Sequence, residues 1–279
     1  MEKKRRISLT EVDVVILTVL YKVLWAHDYH LAIFADQPLP FIRARLKQLA
    51  QGDLIGRISI SRGPACNYIT AAGIAALGLE QRNIRIPNMY TFLHSLAEAD
   101  VFTWLSLPRQ KSSIKLGAII TERDIAAKRE MIPAGHQNGK QLFESADRGI
   151  HCPDGYMYVG DKLVAIEVER VMKSKTSRTH LSDNIASLHE RFRRQIWVYE
   201  KEAVRRAIEA QKVIYGDELI MVDLEKIRTD IGKYIEHLPG EISKKSGRIR
   251  RDLIGELMEV IPLNRIENLY DETEIELEV

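Results

Sequence analysis

Apolar residues recur at helical spacing from the start of the chain. Val12, Val15, Ile16, Val19, Leu20 and Val23 share one stripe, and Thr10 with Asp13 has the form of a capping box, with Leu9 placed as its staple. The pattern predicts a second short helix over Asp28–Ala35. A third opens after Asp36-Gln37-Pro38, turns Leu39, Ile42, Leu46 and Leu49 inward, and stops at Gly52. Its other side carries Arg43, Arg45, Lys47 and Gln48. Two short β-like runs then flank the turn Ser61-Arg62-Gly63-Pro64, and Thr70 is placed to cap a small helix beginning Ala71-Ala72-Gly73. A further amphipathic helix over 88–107 reads as a connector, ended by Pro108 and the polar stretch RQKSS.

The second half alternates differently. Gly160-Asp161 reads as a two-residue hairpin turn between β-rich runs, which pairs residues whose numbers sum to 321. Asp154 then stands opposite Glu167, and Glu169 follows on the same face. Met157, Val164, Ile166 and Val168 form the opposite, apolar face, suited to packing against helices. Like charges opposed on a sheet repel by up to about 1 kcal/mol per pair. A hard divalent cation such as Mg²⁺ or Mn²⁺ removes that repulsion, so Asp154, Glu167 and Glu169 are candidate metal ligands. A wet sheet face with its acids in solvent is the other reading. Beyond the hairpin, the spacing predicts one long helix over 182–211, β-like runs at KVIYG and ELIMVDL, and a helix over 225–238. His151 and Cys152 adjoin Asp154, but without a second pair at zinc-site spacing they read as hairpin residues.

Charge and composition narrow the partners. The chain has 279 residues and a net charge of +2, with no apolar run of the roughly 18 to 20 residues that spans a bilayer. The first residues, MEKKRRISLT, lack the apolar stretch of a signal peptide, and the two cysteines cannot build a disulfide framework. The expectation is a soluble cytoplasmic protein. Residues 1–70 carry ten Lys/Arg against six Asp/Glu, and residues 170–195 carry seven against two. Local basic faces on a near-neutral chain suit nucleic acid, or are simply solvated surface.

Three helices followed by a hairpin resemble the winged helix-turn-helix of bacterial regulators, which implies a DNA-reading third helix and Arg62 at a wing tip; such modules also dock proteins. Pro153-Asp154 followed by Glu167-x-Glu169 resembles the signature of the PD-(D/E)xK, restriction-endonuclease-like nucleases. That likeness implies a core in which a helix with an acid, here Glu122 behind a Thr121/Asp124 cap, precedes three strands. The lysine of that signature is replaced by Glu169, so Lys173 is the candidate cation, with Lys175 and Lys162 behind it. Gln195-x-x-x-Tyr199 resembles the QxxxY element that some of these nucleases place on the following helix. Taken together, the order is similar to the MOB-C class of plasmid relaxases, the MobC type of mobilisation protein, over roughly residues 10–225.

The fold expected is mixed α+β: a winged helix-turn-helix over 1–86, a connector over 87–109, and over 110–279 a restriction-endonuclease-like core with a central mixed sheet flanked by helices. The resemblance implies a relaxase that binds double-stranded DNA at a plasmid transfer origin and nicks one strand. A cation held by Asp154, Glu167 and Glu169 polarises the phosphate and activates water. Lys173 stabilises the transition state, and Glu122, Gln195 and Tyr199 assist. Arg43, Arg45, Lys47, Gln48, Arg62, Arg170, Lys175 and Arg178 contact DNA. A homodimer and a coupling protein bound by the acidic C-terminal tail are partner expectations. Two alternatives stay open: a defence or transposition endonuclease, and a nuclease fold that binds DNA without cutting it. The eight histidines form no HUH pair, so histidine-tyrosine relaxase chemistry has no support.

Overall fold

The computed structural model describes residues 8–58, 64–79, 89–107, 119–122, 151–159, 162–171 and 175–236. They form a mixed α+β protein with eight helices and two sheets among the described residues. The chain divides into two compact units at Gly117/Ala118 and again at Ile227/Arg228.

The first unit is built around α1 (Glu11–Val23). Thr10 and Asp13 form the reciprocal capping box, and from Ile16 to Ala26 every residue is buried. A helix hidden all round must be covered by other elements. Here they are α2 (Asp28–Ala35), α4 (Ala71–Ala76), α5 (Met89–Leu105) and a small antiparallel sheet. Helix α3 (Leu39–Gln51) buries Ile42, Leu46 and Leu49 and ends at Gly52. Strands β2 (Ile55–Ile58) and β3 (Cys66–Ile69) pair antiparallel, and a two-residue strand β1 (Ala26–His27) adds to β3. The tip between β2 and β3, with Arg62, lies outside the described residues.

Helix α5 is not a free connector. Phe92 and Leu96 join Leu24, Trp25 and Cys66 in one cluster, and Trp25 meets the Phe92 ring edge-on at 5.2 Å. Its Asp100 is buried and takes bonds from His30 Nε2 at 2.8 Å, Tyr29 Oη at 3.1 Å and Arg228 Nε at 2.9 Å. The helix is apolar around much of its circumference, which a solvent-crossing connector does not need.

In the second unit, β4 (Ile119–Thr121), β5 (Gly155–Val159), β6 (Lys162–Glu169), β7 (Gln195–Tyr199) and β8 (Leu219–Asp223) form one five-stranded sheet in chain order. The first three pair antiparallel and the last three parallel. Parallel neighbours need long crossovers, which α6 (Lys175–Phe192) and α7 (Glu202–Tyr215) supply. Leu181, Ile185 and Leu188 of α6, and Val204, Ala207 and Ile208 of α7, pack with Tyr156, Leu163, Ala165 and Trp197. Met157, Val164, Ile166 and Val198, on the other face, are buried as well.

The hairpin register is as the sequence predicts, with Gly155 opposite Ile166 and Val159 opposite Lys162. The single long helix over 182–211 is overturned. Helix α6 ends at Phe192, Arg193 takes a positive φ of 52°, and β7 begins two residues later. A run such as Gln195-Ile-Trp-Val-Tyr199 is apolar on both faces of a strand, so periodicity alone does not separate it from a buried helix turn. The β-like reading of KVIYG also fails, because Lys212–Tyr215 closes α7. Helix α8 (Leu224–Glu236) follows β8, near the span expected. Thr121 ends β4 and Glu122 is helical, as expected of the residue behind Thr121; the rest of that expected helix lies outside the described residues. Among the described residues, no helix is long and apolar enough to cross a membrane.

Candidate active site

Strand directions in the second unit gather acids along one sheet edge. β4 ends there and β5 begins there, while β6, β7 and β8 all end there. Glu122 follows β4, and its backbone N–H donates to the Asp154 carbonyl at 3.1 Å, extending the β4–β5 ladder by one step. Asp154 precedes β5, Glu167 and Glu169 close β6, and Glu169 pairs in register with Tyr199, which pairs with Asp223. The carboxyl ends of parallel strands are where open α/β sheets usually present their binding groups.

Glu167 is the most constrained of these acids. It is 6% exposed, beside the buried Trp197 that is its partner on β7. Burial raises its carboxyl to about 7, the charge of Asp154 adds to the rise, and His151 opposes it. His151 Nε2 stands 3.0 Å from Glu167 Oε1, off the line of a well-formed hydrogen bond. Glu167 Oε2 is buried with no hydrogen-bond partner among the described residues. Asp154 is oriented by the backbone, its Oδ2 accepting from Val168 N–H at 2.7 Å. The wet-face reading therefore fails at Glu167, though Glu122 is exposed and Glu169 half-buried.

The donors fit a cation in kind: carboxylates of like charge on one edge, one with a buried oxygen that has no partner among the described residues. They do not form a closed cage. Among the described residues of this unit, no three His, Cys, Asp or Glu side chains bring their ligand atoms all within 4.8 Å of one another.

Other candidates are redistributed. Gln195 and Tyr199 sit at opposite ends of β7, not on a helix. Gln195 is 1% exposed and fully engaged: its Nε2 donates to the Ile185 carbonyl at 3.0 Å, and its Oε1 accepts from Trp197 Nε1 at 2.7 Å. That is a structural bridge from β7 to α6, at the end of β7 away from the acidic edge. Arg170 does not face outward; its guanidinium is 10% exposed and lies 2.8 Å from Glu200. Lys173 and the hairpin tip lie outside the described residues, as do the side chains of Lys162, Lys175 and Arg178.

The signal missed in the sequence is His151. Its partner is a carboxylate sixteen positions on, brought across by the hairpin register, whereas metal-site spacing rules look for a second His or Cys. Arg191 Nη1 donates to the His151 carbonyl at 3.0 Å and fixes the backbone from which the imidazole projects.

In the first unit, the polar side of α3 is divided. Lys47 and Gln48 are exposed, and Arg43 is 61% exposed at 3.4 Å from Asp28. Arg45 is withdrawn from the expected DNA-contact set, because it forks onto the fully buried Asp13 through Nε at 2.9 Å and through Nη2. A buried carboxylate needs such a partner, and Asp13 is held inward by its capping role. Arg57 of β2 lies 3.2 Å from Asp28, on the carboxylate Arg43 also approaches.

Comparison of the chain with protein-family models, with curated proteins and with solved structures finds no match.

Proposed function

We propose that this chain is a metal-dependent DNA nuclease, with a restriction-endonuclease-like core behind a winged helix, acting as a nicking relaxase at a plasmid transfer origin. The observation that carries the reading is the acidic sheet edge, along which Glu122, Asp154, Glu167 and Glu169 lie and where a buried Glu167 oxygen has no partner among the described residues. A divalent cation there supplies polarisation of the scissile phosphate and activation of the attacking water. Asp154 and Glu167 hold it, the first oriented by Val168 N–H and the second by burial. Glu169 adds negative charge on the same face of β6. Lys173, three residues past Arg170, is the proposed cation for the transition state. Support for DNA binding comes from the order of three helices and antiparallel strands, with Arg43, Lys47 and Gln48 on the outer side of α3. Arg62, Lys175 and Arg178 complete the proposed contact set.

A second reading is favoured by one specific observation: Glu169 stands where the nuclease signature has lysine. A protein of this fold that binds DNA without cutting it accounts for that replacement.

The test is cleavage of supercoiled plasmid carrying a candidate transfer origin in Mg²⁺, Mn²⁺ or EDTA, with wild type beside Asp154→Ala and Glu167→Ala. Metal-dependent open-circular product, absent without the origin and lost in both variants, is the expected result. Linear product regardless of origin points to a defence or transposition endonuclease. Origin binding without cleavage under any metal leaves the non-cutting reading.

A further inference from the structure

Resting on the acidic edge as a cation site, we propose that His151 and Glu167 are adjacent ligands of one ion. The mixed nitrogen and oxygen set then selects Mn²⁺, or another first-row transition metal, over Mg²⁺ and Ca²⁺. The argument begins with spacing. Two donors each about 2.1 Å from one ion lie roughly 3.0 Å apart at octahedral angles and 3.4 Å apart at tetrahedral ones. His151 Nε2 and Glu167 Oε1 are 3.0 Å apart. A simple ion pair at that distance aligns the ring N–H on the oxygen, whereas here the nitrogen makes no aligned hydrogen bond.

Burial points the same way. Glu167 is 94% out of solvent, since its exposure is 6%, and its second oxygen has no partner among the described residues. An ionised carboxylate so placed is unfavourable unless a counter-charge meets it. The His151 side chain is 27% exposed, while its Nε2 is itself buried beside Glu167. The pair is also fixed from outside: Arg191 holds the His151 carbonyl, and the β5–β6 register holds Glu167. Asp154, oriented by Val168 N–H, adds a hard oxygen nearby. Imidazole suits first-row transition metals such as Fe²⁺ and Zn²⁺, with Mn²⁺ the weakest binder of that series, whereas Mg²⁺ and Ca²⁺ take oxygen shells.

The experiment is Mn²⁺ binding to the metal-free full chain, followed by electron paramagnetic resonance, with pulsed detection of nitrogen coupled to the bound ion. Wild type, His151→Ala, His151→Asp and Glu167→Gln are compared, each checked for folding by circular dichroism. Bound Mn²⁺ should show coupling to an imidazole nitrogen. His151→Ala should lose that coupling and weaken Mn²⁺ binding about tenfold or more, with a smaller effect on Mg²⁺. His151→Asp should shift the preference toward Mg²⁺. If Glu167→Gln abolishes Mn²⁺ binding while wild type shows no nitrogen coupling, His151 is not a ligand and the carboxylate site stands without it. If wild type binds no Mn²⁺ at all, the cation-site reading fails together with this one. Should either His151 variant fail to fold, the wild-type nitrogen signal alone decides.

Discussion

Glu167 concentrates the electrostatics of the second unit in one side chain. Its carboxyl is raised by burial and by Asp154, with Glu169 adding to the rise and His151 opposing it. A raised folded value means the folded state binds the proton more tightly than the unfolded chain. The stability from this group is therefore fully present below the ordinary glutamate value of 4.5 and is lost as pH rises through about 7. His151 has the same sign, since Glu167 and Asp154 outweigh its burial and hold it above 6.5. His27, lowered by burial and by His30, acts in the opposite sense in the first unit, so a difference between variants is the useful quantity. Metal-free wild type should lose melting temperature relative to Glu167→Gln between about pH 5 and pH 7.5. Parallel melting curves for the two proteins across that range would falsify the buried, raised carboxyl.

At the scale of elements, β7 changes what Gln195 means. On an exposed helix, Gln195→Ala would cost a few tenths of a kcal/mol, as surface substitutions usually do. In this interior strand it leaves the Trp197 indole N–H and the Ile185 carbonyl, both inside the core, without that partner. The expected loss is about 2 to 3 kcal/mol, read as a lower urea midpoint with an unchanged slope. A loss below about 0.5 kcal/mol would speak for the helical placement. The same strand explains how much was legible beforehand. The β5–β6 register followed from a turn and an alternation, because strand side chains repeat every two residues and a slip moves every one to the wrong face. The β7 segment has no such alternation, and only its place between β6 and β8 settles its form.

Across the whole chain, Asp100 joins segments far apart in sequence. Tyr29 and His30 of α2 and Arg228 of α8 all donate to it, over separations of 71, 70 and 128 residues. His27 N–H donates to His30 Nδ1 at 3.1 Å, which leaves Nε2 as the proton-bearing nitrogen facing the carboxylate. Beside this hub, Trp104 Nε1 donates to Asp230 at 3.0 Å, so α8 is tied twice within the first unit. Asp100→Ala should destabilise that unit by about 3 kcal/mol, since it leaves buried donors without an acceptor. Arg228→Ala should cost about 1 kcal/mol, because its side chain is 37% exposed and water screens the lost pair. Urea unfolding followed by tryptophan fluorescence checks both; equal losses would contradict the burial gradient.

The amino-acid sequence by itself determined what local spacing can encode. It placed the capped start of α1, the inward stripe of α3, the Thr70 cap of α4 and the hairpin that sets Asp154 near Glu167. Each depends on residues within a few positions of one another, or on a tight turn that fixes a register. Tertiary structure decided the rest. It pairs β4 with β5, which brings the Glu122 N–H to the Asp154 carbonyl, and turns Arg45 and Arg170 onto internal carboxylates. It also sets His151 against Glu167. In these cases the partner is distant in sequence and burial selects it: a charge leaving water takes the nearest opposite charge the fold provides, which spacing along the chain does not record.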